Sequence, residues 1–209
     1  METGSYKTDI DKLALAVEAT KIAKQQTVDE EGIGQDININ LFSWKQDKLV
    51  SIMQLMKTHQ ISRNERLEKL TQAACIKRQG WGVDSFTFVA EGYCSLKPSE
   101  TKDQDLASLF AKPNSPVSEC ISFTHFGEEP VFVSVPYSIK IGRVVEFGKA
   151  LRYSALNVLR DLTYAATLNA ALKLNTDSNQ PDEYKESFYA TLADAITDLG
   201  FEIFYRDDL

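Results

Sequence analysis

The sequence predicts an α+β fold: an antiparallel or mixed sheet of four to six strands, helices mainly on one face, preceded by an N-terminal helical region. Three observations lead there. Apolar residues recur at helical spacing through the first 80 residues. The period drops to two from Val83 onward. Helical spacing returns after Ser154 and closes on a short terminal strand. No strict strand–helix–strand alternation appears, which argues against a doubly wound parallel sheet. At 209 residues the chain is about 1.4 times a typical domain. One cooperative domain is expected, residues 1–80 forming a helical region packed on a sheet-containing core over 81–209.

The first helix is expected from about Asp9 to Gln26. Thr8 and Asp11 resemble a capping box at its start, and Ile10, Leu13, Ala14 and Val17 fall on one face. Gly32 and Gly34 in an acidic stretch mark a loop. Asp36 to Phe42 alternates Ile37, Ile39 and Leu41 with polar residues, the period of a half-buried strand. Asp36, Asn38, Asn40 and Asp47 imitate a calcium loop, but Leu41 stands where the sharp turn demands Gly.

Ser43 with Gln46 reads as a second capping box, opening a helix whose stripe is Leu49, Ile52, Met53 and Met56. Ser62 with Glu65 reads as a third, opening a helix to about Gln79. Residues 45–80 are thus expected to form a helical hairpin with eight Lys and Arg against three acids, a balance of +5. His59 reads as a helix-terminal histidine favoured by the dipole.

Strand patterns follow over Val83–Ser95, Val117–Phe126, Pro130–Tyr137 and Ile139–Phe147, with a short helical run at Asp103–Ala111. Gly127-Glu128-Glu129 is the expected hairpin connection. A helix is expected from Ser154 to Leu174 and another from Asp182 to Leu199. Gly200 stands just past its end, before a strand over Phe201–Tyr205.

Composition narrows the functional classes. Apolar residues make up 43% and charged residues 25%, ordinary for a globular chain. The net charge of −7 makes nucleic acid an unlikely partner. All of that excess sits in residues 176–209, which carry nine acids and two bases. Cys75, Cys94 and Cys120 are odd in number and widely spaced. They read as free thiols of a cytoplasmic protein. The N-terminus lacks a signal-peptide h-region and no stretch is long and apolar enough for a bilayer, so no membrane partner is expected.

No phosphate cradle, zinc-peptidase helix or nucleophile elbow is found, and two histidines are too few for a histidine-rich metal site. No cofactor and no metal are expected. His125, Tyr137 and Arg143 interrupt otherwise apolar stripes. Were they to converge, the imidazole would serve as acid or base, the guanidinium would hold an anion and the phenol would donate a hydrogen bond. The bland reading is that such polar tips are paired or reach solvent at sheet ends. Trp81, between Gly80 and Gly82, reads as a core anchor or an exposed partner-binding aromatic. The leading functional expectation is a non-catalytic interaction or assembly protein, self-associating or binding a protein partner through shape and charge. Its candidate contacts are Arg63, Arg66, Lys69 and Trp81. The alternative is a small anion-binding protein or enzyme with a site at His125, Tyr137 and Arg143.

Overall fold

The computed structural model describes residues 3–56, 60–97, 106–112, 115–127, 130–153, 168, 170–174 and 182–205. Its elements are α1 (Thr3–Glu30), β1 (Ile39–Lys45), β2 (Lys48–Leu55), α2 (Arg63–Trp81), β3 (Ser85–Ser95), α3 (Leu106–Phe110), β4 (Val117–Phe126), β5 (Val131–Ile139), β6 (Val145–Phe147), β7 (Leu151–Tyr153), α4 (Asp182–Asp198) and β8 (Phe201–Tyr205). The α+β class holds, but the sheet has eight strands rather than four to six. It is antiparallel throughout, in the order β6-β5-β4-β3-β1-β2-β8. β7 pairs farther along β5.

Strand periodicity divides the core into two layers. Ile39, Leu41, Met53, Leu55, Phe86, Phe88 and Phe201 face Leu70, Ala73 and Ala74 of α2 and Ile196 of α4. Phe42, Trp44, Val89, Ile121, Phe123, Val133 and Tyr137 face Leu13, Ala16 and Val28 of α1. Helices therefore cover both faces, not mainly one.

The expected helical hairpin over 45–80 is corrected: its first half is the β1–β2 hairpin. Lys45 pairs with Lys48 across the two-residue connection Gln46-Asp47. Gln46 is left-handed at φ 54°, and its N–H is held by the Asp84 carboxylate. The supposed helical stripe is a strand apolar on both sides. Met53 and Leu55 enter the α2 layer, while Leu49 and Ile52 pack on the α1 layer. Residues 1–80 are therefore not a helical region alone, because they supply two strands of the sheet.

The second half is helical as expected. Ser62 Oγ accepts from Glu65 N–H at the start of α2, and Gly82 (φ 66°) closes it in the left-handed conformation. The charged halves of the chain meet here. Trp81 stacks on Tyr189 of α4 with centroids 5.4 Å apart. Gly80 lies against Leu192. Lys69 Nζ donates to Leu199 O at 2.9 Å, a cation at the C-terminal end of α4. Basic α2 and acidic α4 thus dock within one chain.

The strand expected over Ile139–Phe147 is interrupted. Gly142 (φ 87°) and Arg143 (φ 64°) turn the chain, and Lys140 N–H bonds Val144 O across the turn. The helix expected from Ser154, the 128–129 part of the hairpin connection and His59 lie outside the described residues, apart from helical residues ending at Leu172.

Candidate functional site

The polar groups of the α1 layer form a seam between that helix and the sheet. The stripe expected to be buried, Ile10, Leu13, Ala14 and Val17, is not the one that is. Lys12, Ala16, Thr20, Lys24 and Val28, each four residues after the last, lie buried along with Leu13. Ile10 and Ala14 are exposed. Hydropathy cannot reveal this orientation, because the lysines find their partners on distant strands.

At one end of the seam lies His125, fully buried. Trp44 Nε1–H donates to Thr87 Oγ1 at 3.0 Å, and that hydroxyl lies 2.8 Å from His125 Nδ1. Indole only donates, so the Thr87 hydroxyl proton is left for Nδ1. The ring proton then belongs on Nε2, 3.2 Å from Asp9 Oδ1. That approach is close but misaligned for a straight hydrogen bond, and Nε2 has no other partner among the described residues. Burial pushes the imidazole below the usual histidine range, against the pull of the Asp9 carboxylate. Lys12 Nζ donates to Ser85 Oγ at 3.1 Å and lies 3.7 Å from Asp9 and 4.0 Å from Asp84. A Cβ on Gly127 would come within 2.5 Å of Asp9 Oδ2, so any side chain there must displace the Asp9 carboxylate.

Farther along α1, Lys24 Nζ lies 2.7 Å from Glu91 Oε1, donates to Gln35 O at 2.7 Å and stands 4.9 Å from the Tyr137 ring centroid. Glu91 Oε2 accepts from Ile37 N–H at 3.2 Å. Burial, followed by the hydrogen bond with Asp36, pushes Glu91 up to about 7; Lys24 opposes this without cancelling it. Burial and then the Glu91 charge raise Tyr137 well above the usual phenol range.

At the far end Arg143 is exposed on the β5–β6 turn. Its Nη1 reaches Asp29 O at 3.3 Å, and Gln25 bridges Arg143 O and Val145 N–H. His125, Tyr137 and Arg143 therefore meet α1 near residues 9, 24 and 29. Twenty residues of helix separate the ends, about 30 Å. Each of the three touches the same helix, yet they do not converge on one cavity.

Asp9, His125 and Thr87 have the order of an orienting acid, a base and a hydroxyl. The hydroxyl already accepts from Trp44, and both it and the imidazole are enclosed. In this arrangement the chain of groups fastens α1 to β1, β3 and β4. Among the described residues no group of three or more His, Cys, Asp or Glu is placed to hold a metal.

Two features escaped the sequence reading. Lys77, counted there as one base of a charged hairpin, is fully buried. Among the described residues its Nζ has no hydrogen-bond partner, and it lies 4.0 Å from the Trp81 ring centroid and 5.0 Å from that of Tyr205. Burial pushes it down to about 7. Its spacing behind Leu70, Ala73 and Ala74 on the buried face of α2 was the available signal. The second is a groove of about 540 Å³ where β2 and β8 meet α2 and α4, floored by Leu55, Ile61, Leu199, Phe201 and Ile203, with Lys69 also in its lining. Of the candidate contacts, Lys69 and Trp81 are engaged by α4, while Arg63 and Arg66 stand on the first turns of α2. Comparison with protein-family models, curated proteins and solved structures finds no match for this chain.

Proposed function

We propose that this chain is a non-catalytic protein-interaction or assembly protein whose principal contact surface is the outer face of α1. The observation that carries this reading is the orientation of the helix. It turns Lys12 and Lys24 inward, while Ile10, Leu15 and Ile22 are 45%, 49% and 62% exposed. Buried charge runs against the usual partition, and here it goes with three apolar side chains turned outward on the same helix. Leu15 and Ile22 lie seven residues apart on one line of the helix, flanked on that line by Asp11, Glu18 and Asp29. An apolar line with acidic flanks suits an amphipathic helix with basic flanks. The free thiols Cys75, Cys94 and Cys120 accord with a reducing, cytoplasmic setting.

The alternative of an anion site shared by His125, Tyr137 and Arg143 gains no support, because the three stand apart along α1. Residues 45–80 no longer offer a basic hairpin either, since α4 occupies α2. Completing the burial of Leu15 and Ile22 is worth about 1 kcal/mol each, roughly 30-fold in affinity together. Fluorescence anisotropy with a labelled amphipathic Leu/Lys peptide tests the surface. Wild type should bind it more tightly than a Leu/Glu peptide, and the Leu15→Ser/Ile22→Ser variant should lose most of that affinity while unfolding at the same urea concentration. Equal binding by the variant would overturn the assignment.

A further inference from the structure

We infer that Cys94 and Cys120 are a peroxide-sensitive dithiol, in which hydrogen peroxide oxidises Cys120 and Cys94 resolves it to a reversible disulfide between β3 and β4. Gly92 pairs with Cys120 and Cys94 with Ser118, so the two cysteines lie diagonally on adjacent strands. Opposed residues point to one face of a sheet, and Cys94, two positions after Gly92, shares that face with Cys120. Both are buried, and their thiols are in hydrogen-bond contact. The third thiol, Cys75, stands apart on α2.

The two sulfurs are not equivalent. Cys120 Sγ lies 3.6 Å from Ser122 Oγ, which lies 3.3 Å from Ser134 Oγ. The hydrogen bond from the Cys94 thiol, helped by the Ser122 and Ser134 hydroxyls, holds Cys120 below the usual thiol range, against burial and the charge of Glu119. Donation to Cys120, together with burial, pushes Cys94 well above that range. The proton thus favours Cys94 and the charge favours Cys120, the division between a resolving thiol and a nucleophile. Gly92 leaves room for the oxidant. Among the described residues nothing lies within 4 Å of where its Cβ would stand, on the face the two sulfurs share, and hydrogen peroxide is little larger than water. The pair also sits near the end of the ladder, which closes at Ser95 opposite Val117, where strands open most readily.

The chemistry runs in two steps. The Cys120 thiolate attacks one peroxide oxygen; the O–O bond breaks, and the other oxygen leaves as hydroxide and takes up a proton. Cys120 is now a sulfenic acid. The Cys94 sulfur attacks it; the S–S bond forms, the S–O bond breaks, and the departing hydroxide takes the Cys94 proton. Two thiols and one peroxide become one disulfide and two waters. Bridging a diagonal asks for a small backbone movement, which a glycine within the strand eases. A dithiol reverses the bridge by exchange.

Peroxide treatment of the reduced full chain, then catalase, then thiol titration after denaturation, tests the pair. The count should fall from three to one and return to three with dithiothreitol. Peptide mapping should join Cys94 to Cys120. Dimedone, which traps sulfenic acid, should label Cys120 in the Cys94→Ser variant and leave Cys94 unlabelled in the Cys120→Ser variant. Cys75→Ser should bridge as wild type does. The wild-type count and map need no variant, so a substitution that fails to fold leaves the pair testable. A count that stays at three in excess peroxide would overturn the proposal. So would a bridge that includes Cys75, or equal labelling of Cys94 and Cys120 in the two variants.

Discussion

Replacing Lys77 with Met should stabilise the protein. The ammonium is fully buried without a hydrogen-bond partner among the described residues, and burial moves it from the usual 10.5 to about 7. That difference amounts to about 5 kcal/mol against the charged form. The Trp81 and Tyr205 rings return about 0.5–2 kcal/mol through cation–π attraction, leaving roughly 3–4 kcal/mol. Methionine has similar length, carries no charge and suits contact with aromatic rings. Between pH 7 and 10.5 the unfolded chain binds the Lys77 proton and the folded chain does not, so wild-type stability rises with pH across that window. Below pH 7 both states bind it and the penalty stays at its full value. The gain from Lys77→Met should therefore be about 2–4 kcal/mol at pH 6–7 and shrink toward pH 10. Urea unfolding at fixed m-value over pH 6–10 measures it. A destabilised variant, or a gain that does not change with pH, would refute the reasoning.

Other consequences are equally direct. Glu91→Gln strands the buried Lys24 and should cost about 3–5 kcal/mol, whereas Lys24→Met/Glu91→Leu should cost far less in the same urea assay. Since Glu91 rises from 4.5 to about 7, its contribution falls as pH climbs through that window, and the double variant should lack this fall. Gly127→Ala drives a methyl group into Asp9 and should destabilise by about 1–3 kcal/mol. Hydrogen exchange should show the added opening concentrated at the N-terminal half of α1. Thiol titration of denatured, unreduced protein should count three groups; a count of one would mean an internal disulfide. Gly92 faces Cys120 and Cys94 faces Ser118, so Cys94 and Cys120 lie on a diagonal with their thiols in hydrogen-bond contact, and they are the pair that a count of one would implicate.

The legible parts of the fold were those with local signals. Val117–Phe126 and Phe201–Tyr205 were read with the bounds they have, and the Ser62 cap was recognisable from its Glu65 partner. The β1–β2 hairpin was not legible, for two physical reasons. A strand covered by helices on both faces is apolar on both, so Leu49, Val50, Ile52, Met53 and Leu55 lose the period of two and happen to fit a helix. Its turn also contains no Gly or Asn. Gln46 is held left-handed through Asp84, a residue 38 positions away. Similarly, Lys77 was counted as surface charge and the burial of Lys12 and Lys24 had no local signal, because Ser85, Glu91 and the Tyr205 ring come from elsewhere in the chain. His125 and Tyr137 do interrupt buried strand faces, whereas Arg143 stands on the exposed turn between β5 and β6, a break in the strand that the alternation of Ile139, Ile141, Val145 and Phe147 concealed.

That separation changes how charge is used in this protein. The sequence suggests a basic half seeking an acidic half, and both halves are already joined where α2 meets α4. On the outer face of α1, a helix fastened by its own lysines, the exposed Asp11, Glu18 and Asp29 line Leu15 and Ile22. A conventional amphipathic helix in this position would bury its apolar line and leave nothing for a partner. Burying lysines against Asp9, Asp84 and Glu91 frees the apolar line while still anchoring the helix at three points. If that line is the contact surface, the buried ion pairs act in orientation rather than stability. Substituting Lys24 and Glu91 together with apolar residues should then preserve folding yet allow α1 to rotate, and binding of the Leu/Lys peptide should weaken even though neither residue touches it. Unchanged binding would show that the apolar packing of Leu13, Ala16 and Val28 is enough to set the orientation.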